Sequence, residues 1–465
     1  MAKKSNDIHF DISERKVLLR LFDIVFILSG LYILGGFFQF DYFAITKENW
    51  SWTLVLILYL TIFGTIFELY DLQKSSKLEL IISSIVLTAS VTVLFYLLTP
   101  FFTPTLPHNR LQIVYFYLTI VITIALWRWA YISFISSPRF YKKILLIGEV
   151  SSIEAVAKSL NESDPNYKIV GFVNCEQKRS HGIKFKGLTE YAPSDIQQVI
   201  KAQNISEIVV AAYNSETITS DIYNDLITLL ETGHTIREYT QVYEELTTKV
   251  PVQYVGKDFY KYFPFSRSNQ NKLYLFFRRI LDVFYAVLGL LFGALLLPFV
   301  VLGNLIANRG PLFYTQERVG KNGHLFNIVK FRTMVQNAEA DGVQWAQKND
   351  ARITRFGKFL RRTRLDEIPQ FINVLKGDMS LIGPRPERPY FVNELSQRIP
   401  FYETRHVVKP GLTGWAQVKA RYGSSIDDSL TKLQYDLYYI KHRSFFLDVN
   451  IVIKTMSTII FYRGQ

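Results

Sequence analysis

Between residues 17 and 135 the chain alternates apolar runs with short polar breaks: 17–38, 52–70, 78–98 and 111–135. Each run is long enough to span a bilayer core, which takes about 20 residues. Helices buried in a soluble core explain four such runs in near succession poorly. Lys3, Lys4, Arg15 and Lys16 precede the first run, Lys74 and Lys77 separate the second from the third, and Arg139, Lys142 and Lys143 follow the fourth. The other two loops carry only Lys47 and Arg110. That bias predicts a cytoplasmic N-terminus, a cytoplasmic middle loop and a cytoplasmic remainder of the chain. Trp50, Trp52, Trp127 and Trp129 are expected as interfacial anchors. The first run is long and lacks a small-x-small exit, so no cleavable signal peptide is expected.

Beyond the four-span part, residues 1–138, the pattern changes to short apolar stretches alternating with helical spacing. Strands are predicted at 143–148, 168–173, 207–212 and 235–239, with helices at 153–160 and 219–231. This alternation predicts a Rossmann-like α/β module over 141–250. Gly148-Glu-Val-Ser-Ser supplies one glycine where a dinucleotide fingerprint needs three, so a structural or regulatory role is expected rather than tightly bound NAD. Residues 251–271, aromatic and loop-like at their start, read as a linker. A fifth apolar run, 280–303, contains Asp282, Gly289, Gly293 and Pro298. Lys272, Arg278 and Arg279 flank one end, and Arg309, Arg318 and Lys321 the other. Positive charge on both sides suits a segment that enters the membrane and returns to the same face, broken at Pro298. An ordinary fifth span with a proline kink is the competing reading, and it would put the C-terminal part outside the cell.

Composition narrows the choices. The 465 residues are 49% hydrophobic and only 20% charged, too apolar for a disordered chain. A lone Cys175 excludes a disulfide framework and a cysteine-built metal site. Seven scattered histidines argue against a His-built zinc site. The net charge of +13 is uneven, because residues 251–465 hold 31 Lys and Arg against 16 Asp and Glu. The partners of that part are expected to be anionic: phosphates, nucleic acid or acidic lipid headgroups.

The stretch from Gly310 carries the chemistry. Arg352, Arg355, Lys358 and Arg362 recur at three- and four-residue steps, so a helix would gather them on one face above the adjacent carboxylates Asp366-Glu367. Alone, such a pair would be read as a surface acid pair in salt bridges. Here it lies below six cations and is followed by Gly383-Pro-Arg-Pro, in which two prolines fix the backbone around Arg385. A shared divalent cation working on a phosphate accounts for that pattern, since Mg²⁺ takes one or two carboxylates plus phosphate oxygens. Arginines orient and neutralise phosphoryl groups.

With Gln316-Glu-Arg-Val-Gly, Lys330-Phe-Arg, Leu365-Asp-Glu-Ile-Pro-Gln, Gly383-Pro-Arg-Pro and Lys409-Pro-Gly-Leu-Thr-Gly in order, the chain from about Lys272 onward resembles the bacterial polyprenyl-phosphate hexose-1-phosphate transferases. These are the large membrane initiators of exopolysaccharide, capsule and O-antigen assembly. The upstream layout also resembles their larger members. The resemblance implies transfer of a hexose-1-phosphate, with glucose favoured, from a UDP-sugar to undecaprenyl phosphate with release of UMP. It implies a monotopic α/β catalytic domain over 272–465 on the cytoplasmic face of the bacterial inner membrane, anchored among its lipids by a re-entrant helix at about 280–303. Nucleic acid is then no partner, and self-association is compatible with the pattern. Asp366 would be the nucleophile of a covalent phosphosugar intermediate, and Glu367 its metal-site or acid/base partner. Mg²⁺ would be held by both. Arg361 and Arg385 would hold phosphates or the nucleotide, with Arg318, Lys330, Arg332 and Lys409 at further substrate-binding positions and Glu317 at a motif position of no assigned role. Relatives often carry Ser-Pro at the helix break, where this chain has Leu297-Pro298.

Two rivals belong to other classes. A membrane-bound nucleotide-sugar dehydratase or epimerase would need a full glycine fingerprint and a Tyr-x-x-x-Lys pair within 141–250, and neither occurs. A non-enzymatic membrane scaffold leaves Asp366-Glu367 and the Pro-Arg-Pro turn without a purpose.

Overall fold

The computed structural model describes residues 12–37, 40, 42–75, 78–135, 142–163, 167–175, 188–211, 218–252, 271–338, 342, 350–420, 423 and 425–460. The chain divides into two compact units, Met1–Thr247 and Thr248–Gln465. Most of the expected linker lies outside the described residues.

The first unit opens with α1 (Ile12–Phe37), α2 (Trp50–Ile66), α3 (Leu72–Ser75), α4 (Leu78–Leu97) and α5 (Leu111–Ala130). Helix α1 packs on α5, and α4 packs on both α2 and α5. Their facing apolar side chains, among them Ile27, Leu56, Ile85, Phe116 and Ile120, share one core. Inside it Arg128 donates to both carboxylate oxygens of Asp23, at 2.9 and 2.7 Å, with both side chains buried. Trp127, expected at an interface, is instead buried in this bundle and stacks on Phe22 at 4.8 Å, whereas Trp50 and Trp129 are exposed.

The second apolar run forms a shorter helix than its composition suggests. Helix α2 has 17 residues, about 25 Å of rise. It stops at Ile66 because the chain folds back there: Glu68 has φ 58°, the Leu69 amide donates to the Gly64 carbonyl, and the Tyr70 ring lies over Gly64. Among the described residues, the four helices with the length and composition to cross a membrane are Glu14–Phe37, Leu78–Leu97, Leu111–Phe134 and Lys272–Asn308. The anticipated fifth run therefore stands among the longest, and the anticipated second does not.

The same unit holds a parallel five-stranded sheet in the order β3-β2-β1-β4-β5. Its strands are β1 (Lys142–Gly148), β2 (Tyr167–Asn174), β3 (Thr189–Tyr191), β4 (Glu207–Ala211) and β5 (Thr235–Glu238). Leu145 and Ile147 of β1 pack against Val199, Ile200, Ile222 and Leu226. By strand alternation, buried Ile144 and Leu146 face the other side. The expected strands and helices are present, joined by the edge strand β3, too short to show in the apolar pattern. Gly148 serves packing: a Cβ there would sit 2.4 Å from the Ala211 carbonyl oxygen on β4.

The second unit is mostly helical around two small sheets. Its longest element is the 32-residue helix Lys272–Gly303, capped by the Asn271 side chain and continuous through Pro298 into a π-helical turn, Asn304–Asn308. Pro298 was expected to break this helix and does not. It removes one N–H from the ladder, and the wider turn begins six residues later at Asn304. The antiparallel hairpin β6 (Phe313–Val319) and β7 (Leu325–Phe331) comes next. A short basic helix (Arg355–Arg362), a 3₁₀ turn (Leu365–Gln370) and a helix (Phe371–Lys376) follow. The parallel pair β8 (Ser380–Ile382) and β9 (Gly411–Thr413) precedes the helices Ile426–His442 and Phe445–Ile460.

One face of the long helix is tied into the domain, with Arg278, Asp282, Ala286, Gly293 and Val300 buried. Arg278 donates to Ser380 Oγ at 2.9 Å and to Tyr439 Oη at 2.6 Å, and also to the Ile382 carbonyl. Asp282 accepts from Ser380 Oγ and from the Leu381 amide, each at 2.9 Å. Arg279 donates to the carbonyls of Val374 and Leu375, both at 2.6 Å, at the C-terminal end of the helix Phe371–Lys376, where such groups lack helical partners.

Candidate active site

The Asp366-Glu367 pair sits on the 3₁₀ turn, entered through Arg364 in the left-handed region at φ 60°. A non-glycine residue held there costs of order 1 kcal/mol and persists only when its surroundings fix it. They do so on two sides. The turn packs on β7 and on the long helix, whose glycines allow close approach. A Cβ on Gly293 would lie 2.6 Å from Ile368 Cγ2, and one on Gly289 would lie 2.4 Å from the Phe371 ring.

Glu367 is held by cations. Its Oε1 accepts from Arg385 Nη2 at 2.7 Å and from Lys330 Nζ at 3.2 Å, and Arg364 lies 4.0 Å from Oε2. Burial pushes this carboxyl up, but Arg385, Lys330 and Arg364 together outweigh it and hold Glu367 well below the usual carboxylate range. Burial in turn pushes the Lys330 ammonium down, against the pull of Glu367. Asp366 is 7% exposed. Burial first, then the neighbouring Glu367 charge, pushes its carboxyl up, while Lys330, Arg361 and Arg364 pull it back. Its Oδ1 is buried and has no hydrogen-bond partner among the described residues. A buried carboxylate oxygen in that state has given up water without gaining a hydrogen bond in exchange, a cost of about 1–3 kcal/mol that the nearby cations offset only in part. The vacant acceptor suits a cation or an electrophilic phosphorus.

The turn opens onto a cleft of ≈ 2110 Å³ with two kinds of wall. One end presents Arg318, Lys330, Arg361, Arg364, Arg385 and Lys432 beside the two acids. On the long helix and on Phe445–Ile460 the lining is largely aliphatic and aromatic, with Arg278, Asp282 and Asp448 among it. An anion with a large apolar part would match both.

The bacterial sugar transferase model matches residues 273–462. An Aeromonas hydrophila UDP-N-acetylgalactosamine-undecaprenyl-phosphate N-acetylgalactosaminephosphotransferase is 46% identical over 221 residues, 47% of this chain and 51% of its own length. A Bacillus subtilis relative, provisionally named for undecaprenyl-phosphate N-acetylgalactosaminyl 1-phosphate transfer, is 47% identical over 144 residues, 30% of this chain and 79% of its own. The chain belongs to the bacterial sugar transferase family. A Xanthomonas campestris UDP-glucose:undecaprenyl-phosphate glucose-1-phosphate transferase is 40% identical over 190 residues, 40% of this chain and 39% of its own length. The match thus spans about half of the Aeromonas relative and less of the Xanthomonas one.

Within this bacterial sugar transferase domain the expected site residues fall into three groups. Asp366, Glu367, Lys330, Arg361, Arg385 and Arg318 all line the polar end of the cleft. Arg361 donates to Thr333 Oγ1 at 2.9 Å, and Arg318 donates to the Pro386 carbonyl at 3.2 Å and to Gln316 at 2.7 Å. Burial pushes the Arg318 guanidinium down to about 10, with Glu387 opposing.

Arg332 borders the cleft but is a structural tie. Its Nε, Nη1 and Nη2 each donate to a backbone carbonyl, those of Pro311, Met334 and Asn308, so the side chain holds the chain's own backbone together. Lys409 and Glu317 do not line the cleft. Lys409 is half-buried and lies near Gly377, and burial, then Arg279, pushes its ammonium down. Glu317 points away because β6 alternates, with Tyr314, Gln316 and Arg318 on the cleft side. The basic stripe is shorter than its spacing suggests: Thr354 caps the helix, so Arg352 lies before it and pairs with Asp350 at 2.6 Å.

One buried group escaped the sequence reading. Arg405 donates to the Arg385 carbonyl at 3.0 Å, to Tyr402 Oη at 2.6 Å and to Asp436 Oδ2 at 2.7 Å. It supports the Pro-Arg-Pro turn from beneath, together with the Gly411 amide, which donates to the Pro384 carbonyl at 2.8 Å. Burial pushes Asp436 up to about 6 even with Arg405 beside it. Tyr402 is three residues away, but Arg385 and Asp436 are 20 and 31 residues from Arg405 in sequence, and no local spacing joins them to it.

Proposed function

We propose that this chain transfers a hexose-1-phosphate from a UDP-sugar to undecaprenyl phosphate and releases UMP. The observation that carries the reading is Asp366 Oδ1, buried without a hydrogen-bond partner among the described residues, beside the half-buried cations Lys330, Arg361, Arg364 and Arg385 in a cleft that also has a long apolar stretch of lining. Family membership and the names of the relatives support the reaction class. Asp366 attacks the β-phosphorus of the donor. The new oxygen–phosphorus bond forms as the bond to the bridging oxygen breaks, and that electron pair leaves with UMP. A phosphate oxygen of the acceptor then attacks the same phosphorus, which returns Asp366 as a carboxylate and leaves a polyprenyl diphosphate sugar. Splitting the transfer lets a soluble nucleotide and a lipid use the site in turn.

Lys330, Arg361, Arg364 and Arg385 offset the repulsion between a carboxylate and an anionic diphosphate. Such preorganised donors contribute roughly 3–4 kcal/mol each. Glu367 fixes Arg385 and Lys330 in place. The open Asp366 oxygen next to Glu367 also fits a hard divalent cation. Asp366 and Glu367 are the residues that would hold Mg²⁺, which when bound supplies further neutralisation of the diphosphate.

The reading includes placement on the cytoplasmic face of the bacterial inner membrane, with the helix Lys272–Gly303 as the anchor and both of its ends held by the domain on that face. Ties at both ends of this helix to the same domain support it. Near the start these are Arg278 to Ser380 and Arg279 to Val374; beyond its end, Asn304 donates to the Gly310 carbonyl and Asn308 to the Arg332 carbonyl, each at 2.9 Å. The parallel sheet order supports a Rossmann-like module, and the single glycine after its first strand supports a structural or regulatory role over dinucleotide binding. The expectation of glucose has no residue behind it, and the relatives at 46% and 47% identity are named for N-acetylgalactosamine.

The deciding experiment supplies UDP-glucose, UDP-galactose and UDP-N-acetylgalactosamine with undecaprenyl phosphate and Mg²⁺, and measures UMP. Asp366→Asn is expected to abolish release with every donor. Activity close to wild type in that variant defeats the assignment.

A further inference from the structure

The mechanism uses the polar end of the cleft and leaves its long apolar part without a role. That part is a trough between two helices. Leu281, Leu288 and Phe292 of the long helix form one wall, and Val452, Met456 and Ile459 of the helix Phe445–Ile460 form the other. All six are between 42% and 54% exposed, so they face the trough instead of filling a core. The wall from the terminal helix is held before anything binds. Asp448 accepts from Tyr274 Oη at 2.5 Å and from Tyr439 Oη at 2.9 Å, with Arg278 Nη1 at 3.5 Å, which latches the starts of the two helices together. Further along, the Thr455 and Thr413 hydroxyls are hydrogen-bonded at 2.7 Å, which ties the terminal helix to β9. Asp448 is thereby absorbed inside the domain.

We infer that this trough is the binding site for the isoprenoid tail of the acceptor, with its phosphate delivered to the cations beside Asp366. The inference rests on the reaction proposed above and adds where its lipid substrate lies. Continuity argues for this occupant: Leu288, Gly289 and Phe292 line the same cleft as Asp366 and Glu367, and Gly293 contacts Ile368, the residue after the dyad. Charge argues for it as well. A trough ending in Lys330, Arg361, Arg364 and Arg385 favours an anionic monophosphate head on a single chain. A zwitterionic phospholipid would bring an ammonium group into the same cations. The cleft-lining stretches of the two helices, 274–292 and 445–459, are about 27 and 21 Å long, which gives length for several isoprene units, and preformed apolar sites with a few convergent polar groups are the common form of a ligand pocket.

The test fills the trough from each side with Leu288→Trp and Val452→Trp. Both side chains are about half exposed, so the fold tolerates the larger ring. Each variant is expected to raise the apparent KM for undecaprenyl phosphate about tenfold, more than it raises the KM for the UDP-sugar, and to lose the preference for undecaprenyl phosphate over a short-chain polyprenyl phosphate. In parallel, wild-type protein in nanodiscs is irradiated with a diazirine-bearing polyprenyl phosphate or a diazirine-bearing phosphatidylethanolamine. The first is expected to label residues 281–292 and 449–459, and the second to label them much less. An unchanged KM for undecaprenyl phosphate in both variants overturns the inference. So do adducts confined to other segments, or equal labelling by the phospholipid. If wild-type protein yields no UMP from any donor, the reaction falls, while the labelling map still decides the trough.

Discussion

Gly293→Ala tests whether the membrane helix sets the position of the catalytic turn. The added Cβ would lie 2.6 Å from Ile368 Cγ2, against an ordinary carbon–carbon contact of about 3.5–4.0 Å. Something must therefore yield by about 1 Å. Ile368 is β-branched and stiff at χ1, and it follows Glu367 directly, so the displacement passes into the dyad. Two terms oppose each other in stability: Ala gains up to about 1 kcal/mol over Gly in a helix, and overpacking costs about 1–3 kcal/mol. The net loss is expected at about 0–2 kcal/mol, small enough for the protein to remain folded. A misplacement of about 1 Å commonly costs about 10²-fold in rate, so kcat for UMP release should fall by up to that factor with a modest change in KM. The assay is UMP release in nanodiscs, with thermal unfolding run alongside. Ile368→Ala in the Gly293→Ala background removes the clashing methyl and should restore most of the loss, which gives a coupling energy between the two sites. Wild-type kcat in Gly293→Ala, or a double variant no better than the single one, refutes the reasoning.

Arg405→Gln leaves Asp436 buried without its cation and should cost about 3–5 kcal/mol. Without Arg405 the Asp436 carboxyl is raised still further, so the variant binds a proton more readily when folded. Its deficit in Tm relative to wild type should therefore grow as the pH rises from 5 to 8, and a deficit independent of pH counts against the pair. Lys330→Met removes one of two cations on Glu367 Oε1 and should lower kcat/KM for the UDP-sugar by about 10²-fold. Titrating UDP-sugar against the variant checks it, and an unchanged value removes Lys330 from the site. Chelation with EDTA should stop UMP release and Mg²⁺ should restore it, while full activity in EDTA excludes the divalent cation.

Features written in contiguous residues were readable in advance. The apolar runs, the alternation in the α/β module, Asp366-Glu367 and the rigid Pro-Arg-Pro turn all depend on local order. Roles fixed by a partner distant in sequence were not. Arg332 and Arg385 look alike in their motifs, yet three carbonyls take the guanidinium of one, and the other reaches Glu367. Arg405 sits between ordinary neighbours, and only folding brings it under the Arg385 carbonyl. Hydropathy gave the extent of the second run and missed the reversal at Glu68, which rests on backbone conformation. Gly289 and Gly293 stood out in the fifth run without an evident purpose, because the side chains they admit, Phe371 and Ile368, come from another element.

The hydrogen bonds that Arg278, Arg279 and Asp282 make into the domain bear on how the protein can be handled. Cutting the chain just before Arg309 to obtain a water-soluble fragment would strip partners from Ser380, the Leu381 amide and the carbonyls of Val374 and Leu375. It would also bare the flank on which Ile368 and Phe371 rest. Such a truncation would be missing part of its own interior. Detergent or nanodisc preparations that keep residues 271–308 are accordingly the smallest sensible starting point for crystallisation or electron microscopy of the catalytic half.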